Sequence, residues 1–228
     1  RLAMVVVCAL LTAVLAWVAV TRLTFNASFE RMIPQSQPYI KNYLDNRQEL
    51  RGLGNALRIV VESADGDIFD PKYQETLKKI NDEVYLTPGV DRAWMKSLWS
   101  PSVRWTEVTE EGFLGGPVMP DSYDGSPQAA DQLRLNIARS GIVGRFVGND
   151  FKSSMIFVPL LDTDFATGKP IDYRALSRTL EDDIRAKYEK QGVRVHIIGF
   201  AKLVGELING LMQVMGEVLS ALQAAHAI

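Results

Sequence analysis

The sequence predicts an α+β fold that follows one N-terminal transmembrane helix and precedes a C-terminal helix. Three observations lead to this class. Residues 2–20 carry no charged side chain. Residues 24–200 alternate short runs rich in β-branched residues with segments of helical periodicity. Residues 201–228 again place apolar residues at helical spacing, with Lys202 and Glu206 among them.

The first segment, Leu2 to Val20, has the length and composition of a membrane span. A helix of this length extends about 28 Å, close to the roughly 30 Å of the hydrocarbon core. Arg1 and Arg22 flank it, and Trp17 lies near one end, as is typical at membrane interfaces. A signal peptide and a buried helix are the two alternatives. The poor signal-peptidase site and the lack of a polar face favour a retained span.

Composition narrows the classes of function. The chain has 228 residues, of which 47% are hydrophobic and 23% charged, with a net charge of −2. A nucleic-acid-binding protein would show a clustered excess of lysine and arginine, so nucleic acid is not an expected partner. The only histidines are His196 and His226, and Cys8 lies in the predicted span, so no metal site is expected. Because no catalytic motif is present, we expect neither enzymatic activity nor a cofactor.

A strand, a helix and a second strand are predicted in the first part of the domain, after a helix that opens at Pro38. The β-branched run 56–62 is the first strand. Asp70 is placed to cap the following helix, which stops before the proline and glycine at 88–89. Residues 90–98 form the second strand, so this part is a βαβ-like unit.

Residues 99–125 are rich in proline and glycine and predict an irregular hairpin or a long excursion, with a turn at Gly115 to Pro117. The elements that follow are a helix between Ser126 and Gly141, strands over 142–147 and 154–161, a helix between Asp172 and Gly192, and a strand over 193–199. Helices packed on one face of an antiparallel or mixed sheet give a ferredoxin-like arrangement, with predicted subdomains 52–125 and 126–200.

Three of the four tryptophans lie close together in the chain, beside the irregular region. Such clusters are mostly part of a core, but apolar ligand pockets and partner interfaces are built from the same side chains. Both interpretations stay open from the sequence. The candidate substrate-contact residues are Trp94, Met95, Trp99, Trp105, Phe113 and Met119.

The order of elements and three stretches of sequence resemble the first periplasmic segment of resistance-nodulation-division transporters. The similarity is to the branch that includes the mycobacterial-membrane-protein-large-like and hopanoid exporters. The stretches are Leu23 to Pro34 after the span, Asn149 to Lys152 leading into Met155 to Asp162, and Val195 to Phe200 entering Ala201 to Leu211. They are diffuse hydrophobic patterns rather than catalytic signatures.

This resemblance implies a cytoplasmic N-terminus and three parts. Residues 1–23 would be the transmembrane helix, residues 24–200 a porter domain in the periplasm, and residues 201–228 the start of a truncated or altered second span. The whole protein would be a proton-driven exporter of lipids or other hydrophobic or amphipathic compounds in the bacterial inner membrane. Its proton-carrying acidic residues would lie in later helices outside this chain.

The resemblance also implies partners. They are membrane lipid, a hydrophobic or amphipathic substrate, the remaining transmembrane helices, further copies of the chain and proteins of the cell envelope. A ligand-sensing domain of a membrane-anchored signalling receptor has the same arrangement of a span, a periplasmic α+β domain and a returning helix. The sequence leaves this alternative open.

Overall fold

The computed structural model describes residues 2–22, 33–46, 49–50, 54–164 and 168–226. In the two terminal helices, the side chains of residues 16, 19–22, 219 and 221–226 are outside this description. The fold is mixed α and β, as the sequence predicts.

A three-stranded antiparallel sheet organises the domain, with the order β4-β1-β5. Its strands are β1 (Ala56–Ser63), β4 (Ser153–Pro159) and β5 (Val193–Ile198). Alternate side chains of β1 are fully buried at Leu57, Ile59 and Val61, so one face of the sheet carries the core. Because β1 stands between two later strands, the predicted subdomains 52–125 and 126–200 share one sheet.

The predicted strand over residues 90–98 is interrupted. Two isolated antiparallel bridges, Val90 with Leu160 and Lys96 with Phe157, place its ends beside β4. Between the bridges, Arg92–Trp94 form one turn of 3-10 helix. The turn carries these exposed residues outward, and this is why a continuous strand does not form.

The helix α3 (Pro71–Leu86) packs on the buried face of the sheet. Its N-cap is Asp70, as predicted, whose carboxylate accepts the N–H of Lys72 at 2.7 Å. Tyr73 ties the helix to the sheet, because its hydroxyl donates to the Val61 carbonyl at 2.8 Å and lies 2.7 Å from Ser154 Oγ. Burial raises the pKa of Tyr73.

A second helical segment joins β4 to β5 and contains four consecutive pieces. The predicted start of this segment is confirmed, since the Asp172 carboxylate caps it by accepting the N–H groups of Arg174 and Ala175. Gly192 ends the segment with a φ of 86°, also as predicted. The pieces are α5 (Tyr173–Arg178), a π-helical turn (Thr179–Arg185), α6 (Ala186–Tyr188) and a 3-10 turn (Glu189–Gln191).

The predicted hairpin is confirmed as β2 (Arg104–Thr109) and β3 (Gly112–Pro117). The turn predicted at Gly115 to Pro117 is wrong, because these residues lie inside β3. Gly116 stands directly opposite Trp105, and a Cβ on it would lie 3.2 Å from the indole Nε1. The glycine therefore leaves room for the indole and does not make a turn here.

The helix α4 (Pro127–Ser140) follows the hairpin and ends at Gly141, which has a φ of 65°. The predicted strand over residues 142–147 is wrong. The N–H groups of Arg145 and Phe146 both donate to the Ile142 carbonyl, and Gly144 has a φ of 77°. The chain reverses there instead of extending.

Three further helices belong to the described part of the chain. They are α1 (Leu2–Arg22), α2 (Pro38–Asp45), which begins at Pro38 as predicted, and α7 (Phe200–His226). The described apolar side chains of α1 are exposed. Among the described residues, no helix is both long and apolar enough to cross a membrane. The predicted span over Leu2 to Val20 is therefore not supported.

The first turns of α7 dock tightly on α5. A Cβ on Gly205 would lie 2.5 Å from Ser177 Cβ, so only glycine permits this approach. Lys202 is 4% exposed, and its Nζ lies 2.5 Å from Glu181 Oε1 and 2.6 Å from Glu206 Oε1. Lys202 thus faces the domain, whereas the Glu206 side chain is 56% exposed.

Leu133 and Leu135 provide a matched test that α4 packs into the same hydrophobic core as the sheet. Leu133 is fully buried, whereas Leu135 on the same helix is 44% exposed. We expect Leu133→Ala to lower the free energy of unfolding by about 2 to 5 kcal/mol, because it leaves a cavity. Leu135→Ala should lower it by less than about 1 kcal/mol. Urea unfolding followed by circular dichroism measures both, and equal losses would contradict this packing.

Candidate functional site

A surface cleft of about 450 Å³ lies beside Trp99, at the N-terminal half of α3. We call it the Trp99 cleft. Its position follows from the fold, because the chain between the interrupted strand and the hairpin crosses α3 here and Tyr123 returns to the same place. The lining residues are Pro71, Lys72, Glu75, Lys78, Trp99, Tyr123, Asp124 and Gly125.

Two aromatic rings form the apolar wall of the cleft. The rings of Trp99 and Tyr123 meet edge to face, with centroids 5.7 Å apart and an interplanar angle of 87°. The indole Nε1 of Trp99 donates to Gln74 Oε1 at 3.1 Å. Gln74 is fully buried and donates in turn to the Ile68 carbonyl at 2.6 Å. This chain of hydrogen bonds fixes the orientation of the indole.

Two ammonium groups border this wall. The Nζ of Lys78 lies 5.0 Å from the centroid of the Trp99 ring, within the range of a cation–π contact. Lys72 lines the same cleft. Within the described part of the chain, neither lysine forms an ion pair. Both charges remain free to meet an anionic group.

The carboxylates at the rim are held by other partners. Glu75 pairs with Lys79 at 2.7 Å, and the hydrogen bond from Lys79 lowers the pKa of Glu75. The Ser126 side chain and backbone lower the pKa of Asp124. Both carboxylates therefore stay ionised, and because they contact Lys79 and Ser126 they do not neutralise the charges of Lys72 and Lys78.

The hydroxyl of Tyr123 is an unusual buried group. It has no hydrogen-bond partner among the described residues. Burial raises the pKa of Tyr123, and the negative charges of Asp70 and Asp124 raise it further. The wall of the cleft therefore contains a neutral hydroxyl rather than a phenolate at physiological pH.

The structure places the six candidate substrate-contact residues at different depths. Only Trp99 lines the cleft. Met95 and Met119 are in the core, as the simpler interpretation of the cluster predicts. Trp94 is 42% exposed in the 3-10 turn, Phe113 is 84% exposed on β3, and Trp105 is half-buried on β2 with the Arg139 guanidinium 5.3 Å from its ring centroid.

Sequence reasoning missed Lys72, Lys78 and Tyr123. The two lysines lie on the polar side of α3, where a lysine is ordinarily only a solvated charge. Tyr123 lies in a turn-rich stretch without periodicity. The available signal was the tyrosine between Pro120 and Gly125, because an aromatic residue among turn-forming residues is often anchored against a neighbour.

Metal-binding groups are a separate question. Within the described ranges, no group of three or more His, Cys, Asp and Glu residues could hold a metal ion. His196 lies on β5, with its Nε2 2.9 Å from Glu62 Oε2. This pair is exposed on the sheet face away from the core.

The comparisons with known proteins do not assign this chain to a family. A scan against protein-family models finds no match, and a search of curated proteins finds no significant similarity. The resemblance to resistance-nodulation-division transporters therefore rests on the sequence patterns alone.

Tyr123→Phe tests the burial of the tyrosine hydroxyl. We expect the free energy of unfolding at pH 7 to stay the same or to rise by up to about 1 kcal/mol, because the hydroxyl has no partner to lose. Tyr73→Phe is the matched control and should lower it by about 1 to 2 kcal/mol, since two buried hydrogen bonds disappear. Urea unfolding measures both. A clear destabilisation by Tyr123→Phe would contradict the geometry.

The same variant has a pH signature. Because the pKa of Tyr123 is raised in the folded state, the unfolded chain loses this proton more readily than the folded chain does. The free energy of unfolding is therefore unaffected by Tyr123 ionisation below the unfolded pKa of about 10 and falls as the pH rises above that pKa. We expect wild-type stability to fall above pH 10 and that of Tyr123→Phe to fall less steeply. Urea titrations between pH 8 and about pH 11 provide the two slopes. Identical slopes would show that this pKa is not raised.

Proposed function

We propose that this chain is the N-terminal part of a proton-driven exporter of lipids or other hydrophobic or amphipathic compounds in the bacterial inner membrane. Residues 24–200 form its periplasmic porter domain and shape the path of the substrate. The class comes from the sequence resemblance. The observation that carries the proposal is the Trp99 cleft, where an aromatic wall borders two ammonium groups free of ion pairs among the described residues.

The chemistry of the cleft suits an amphipathic anion. An apolar chain gains contact area on the rings of Trp99 and Tyr123. An anionic head group gains the charges of Lys72 and Lys78. With about 450 Å³, the cleft holds part of a lipid rather than all of it.

The terminal helices support a membrane setting. α1 exposes most of its described apolar side chains, and α7 exposes a stripe at helical spacing. Monomeric soluble proteins seldom expose such continuous apolar surface. In the proposed exporter, lipid or further helices cover both surfaces, Leu2 to Val20 being the first span and α7 the start of the second. The exposed stripe of α7 is Leu203, Leu207, Leu211, Val214, Met215 and Val218.

The topology supports a porter-type domain. Residues 90–96 lie beside β4, so the sheet order is β5, β1, β4 and then this segment. A helix follows β1 and another follows β4 on the same face. This is the order of a ferredoxin-like, split βαβ unit. The hairpin and α4 are then an insertion between its second and third strands.

A sensory receptor domain is the second candidate. It is favoured by the docking of α7, which the buried Lys202 holds against Glu181 in the domain. A ligand that moved the domain would move this helix. Reading the coding sequence beyond Ile228 separates the two candidates, since further spans indicate an exporter and a soluble signalling module indicates a receptor.

Binding of an amphipathic anion tests the proposed function. The full chain is placed in zwitterionic nanodiscs with Trp99 as its only tryptophan and is titrated with 11-bromoundecanoate, which quenches tryptophan on contact. We expect Trp99 emission to be quenched at least about threefold more efficiently than that of a matched variant that keeps only Trp94. Lys72→Gln with Lys78→Gln should weaken binding by about five- to tenfold, because two favourable charges are removed.

A cationic probe of the same chain length provides the control. Dodecyltrimethylammonium bromide should bind no more weakly to the Lys72→Gln and Lys78→Gln double variant than to the wild type. Equal quenching of Trp99 and Trp94, or anion binding that is indifferent to both lysines, would remove the Trp99 cleft as the substrate site.

A further inference from the structure

The β2–β3 hairpin ends in an apolar and acidic tip. Val108 and Phe113 are paired across the two strands and are 76% and 84% exposed, and Leu114 is 55% exposed. The connecting turn contributes Glu110 and Glu111, which form no ion pair among the described residues. We call Val108, Phe113, Glu110 and Glu111 the hairpin tip, because Leu114 is paired with Glu107 and lies on the other face of the hairpin.

Among the described residues, α4 contacts only one face of the hairpin. Side chains alternate along β2, so Trp105 and Glu107 share one face and Val108 lies on the other. Arg139 of α4 contacts the first face, with its guanidinium 5.3 Å from the Trp105 ring and 3.4 Å from Glu107. The face of Val108 and Phe113 stays exposed.

The three-stranded sheet has a second face of opposite charge, which no described helix or strand covers. Arg58 of β1 stands between Phe157 of β4 and Ile198 of β5, and the bridge to Phe157 brings Lys96 into the same row. Ile198 is 59% exposed, and the Arg58 guanidinium lies 5.8 Å from the Phe157 ring. We call these residues, together with Arg194, the open sheet face.

Positive charge is in excess on this face. The carboxylate of Glu62 is flanked by Arg194 at 3.4 Å and His196 at 2.9 Å. Arg58 and Lys96 are not matched by any acidic strand residue on the face within the described ranges. The open sheet face is therefore cationic and apolar, whereas the hairpin tip is acidic and apolar.

The outer edge of β5 is closed to a further strand. The N–H of Val195 donates to Glu189 Oε1 at 3.2 Å, and its carbonyl accepts from Arg185 Nε at 2.9 Å. These side chains occupy the backbone groups that an added strand would need. A partner that docks on the face of the sheet does not need these backbone groups.

We propose that the hairpin tip of one copy of this chain docks on the open sheet face of a second copy. Val108 and Phe113 pack against Phe157 and Ile198, and Glu110 and Glu111 meet the cations of the face. The charge complementarity lies within one chain, so every copy carries both surfaces. Such a contact is head-to-tail, and repeating it produces a closed ring or an open array.

Charge reversal tests the proposal in the full chain in detergent micelles, with copies per particle measured by light scattering. One variant combines Glu110→Lys with Glu111→Lys, and the other combines Arg58→Glu with Arg194→Glu. We expect the wild type to associate and each variant alone to associate at least about tenfold more weakly. Mixing the two variants should restore association, because each supplies the surface that the other lacks.

Disulfide trapping locates the contact. In a Cys8→Ser background, copies with Phe113→Cys are mixed with differently tagged copies with Ile198→Cys and oxidised mildly. We expect the mixed disulfide to form at least about fivefold faster than with Leu135→Cys, a control at an exposed leucine of α4. Circular dichroism shows that each variant is folded, since all the substituted side chains are on the surface.

Three results would overturn the proposal. The first is a mixture of the charge-reversed variants that stays dissociated. The second is a Leu135→Cys control that cross-links as fast as Ile198→Cys. The third is a single-copy wild type whose binding to phosphatidylglycerol vesicles is lost with Arg58→Glu and Arg194→Glu but kept with Glu110→Lys and Glu111→Lys. In that case the open sheet face binds an anionic lipid surface.

Discussion

The structure depends on β1 being paired along both of its edges. β4 and β5 lie on either side of it, so strands from distant parts of the chain are held together by one element. Its buried side chains, Leu57, Ile59 and Val61, then provide the floor on which the helices pack. The long excursion between α3 and β4 is tolerated because the three-stranded sheet is complete without it, and the Trp99 cleft forms where that excursion crosses α3.

The buried lysine at the start of α7 has a comparable role for the terminal helix. Lys202 meets two carboxylates, Glu181 and Glu206, and Arg185 also contacts Glu181 at 2.8 Å. Removing one partner from such a cluster is costly because a buried charge stays behind. Glu181 and Arg185 lie in the π-helical turn, a distortion found frequently at functional sites. This cluster fixes the direction in which α7 leaves the domain.

The candidate site was only partly readable from the sequence. The tryptophan cluster indicated the right region, but it combined core residues such as Met95 and Met119 with a surface residue such as Phe113, because adjacency in sequence does not report depth. The cations of the cleft come from α3, and Tyr123 comes from a turn without periodicity. Hydrophobic patterns mark burial and leave charged or turn residues unassigned, so these members became visible only when the chain had folded.

The sequence by itself determined the central strand, the helices that begin after Asp70, Ser126 and Asp172, and the closing strand, because local hydrogen bonds and side-chain periodicity specify them. Only the tertiary structure decided that residues 90–98 touch β4 at two points and that Gly115 and Gly116 lie in a strand. It also decided that Lys202 faces inward. Each of these depends on a neighbour distant in sequence, namely Phe157, Trp105 and Glu181, and no local pattern records such contacts.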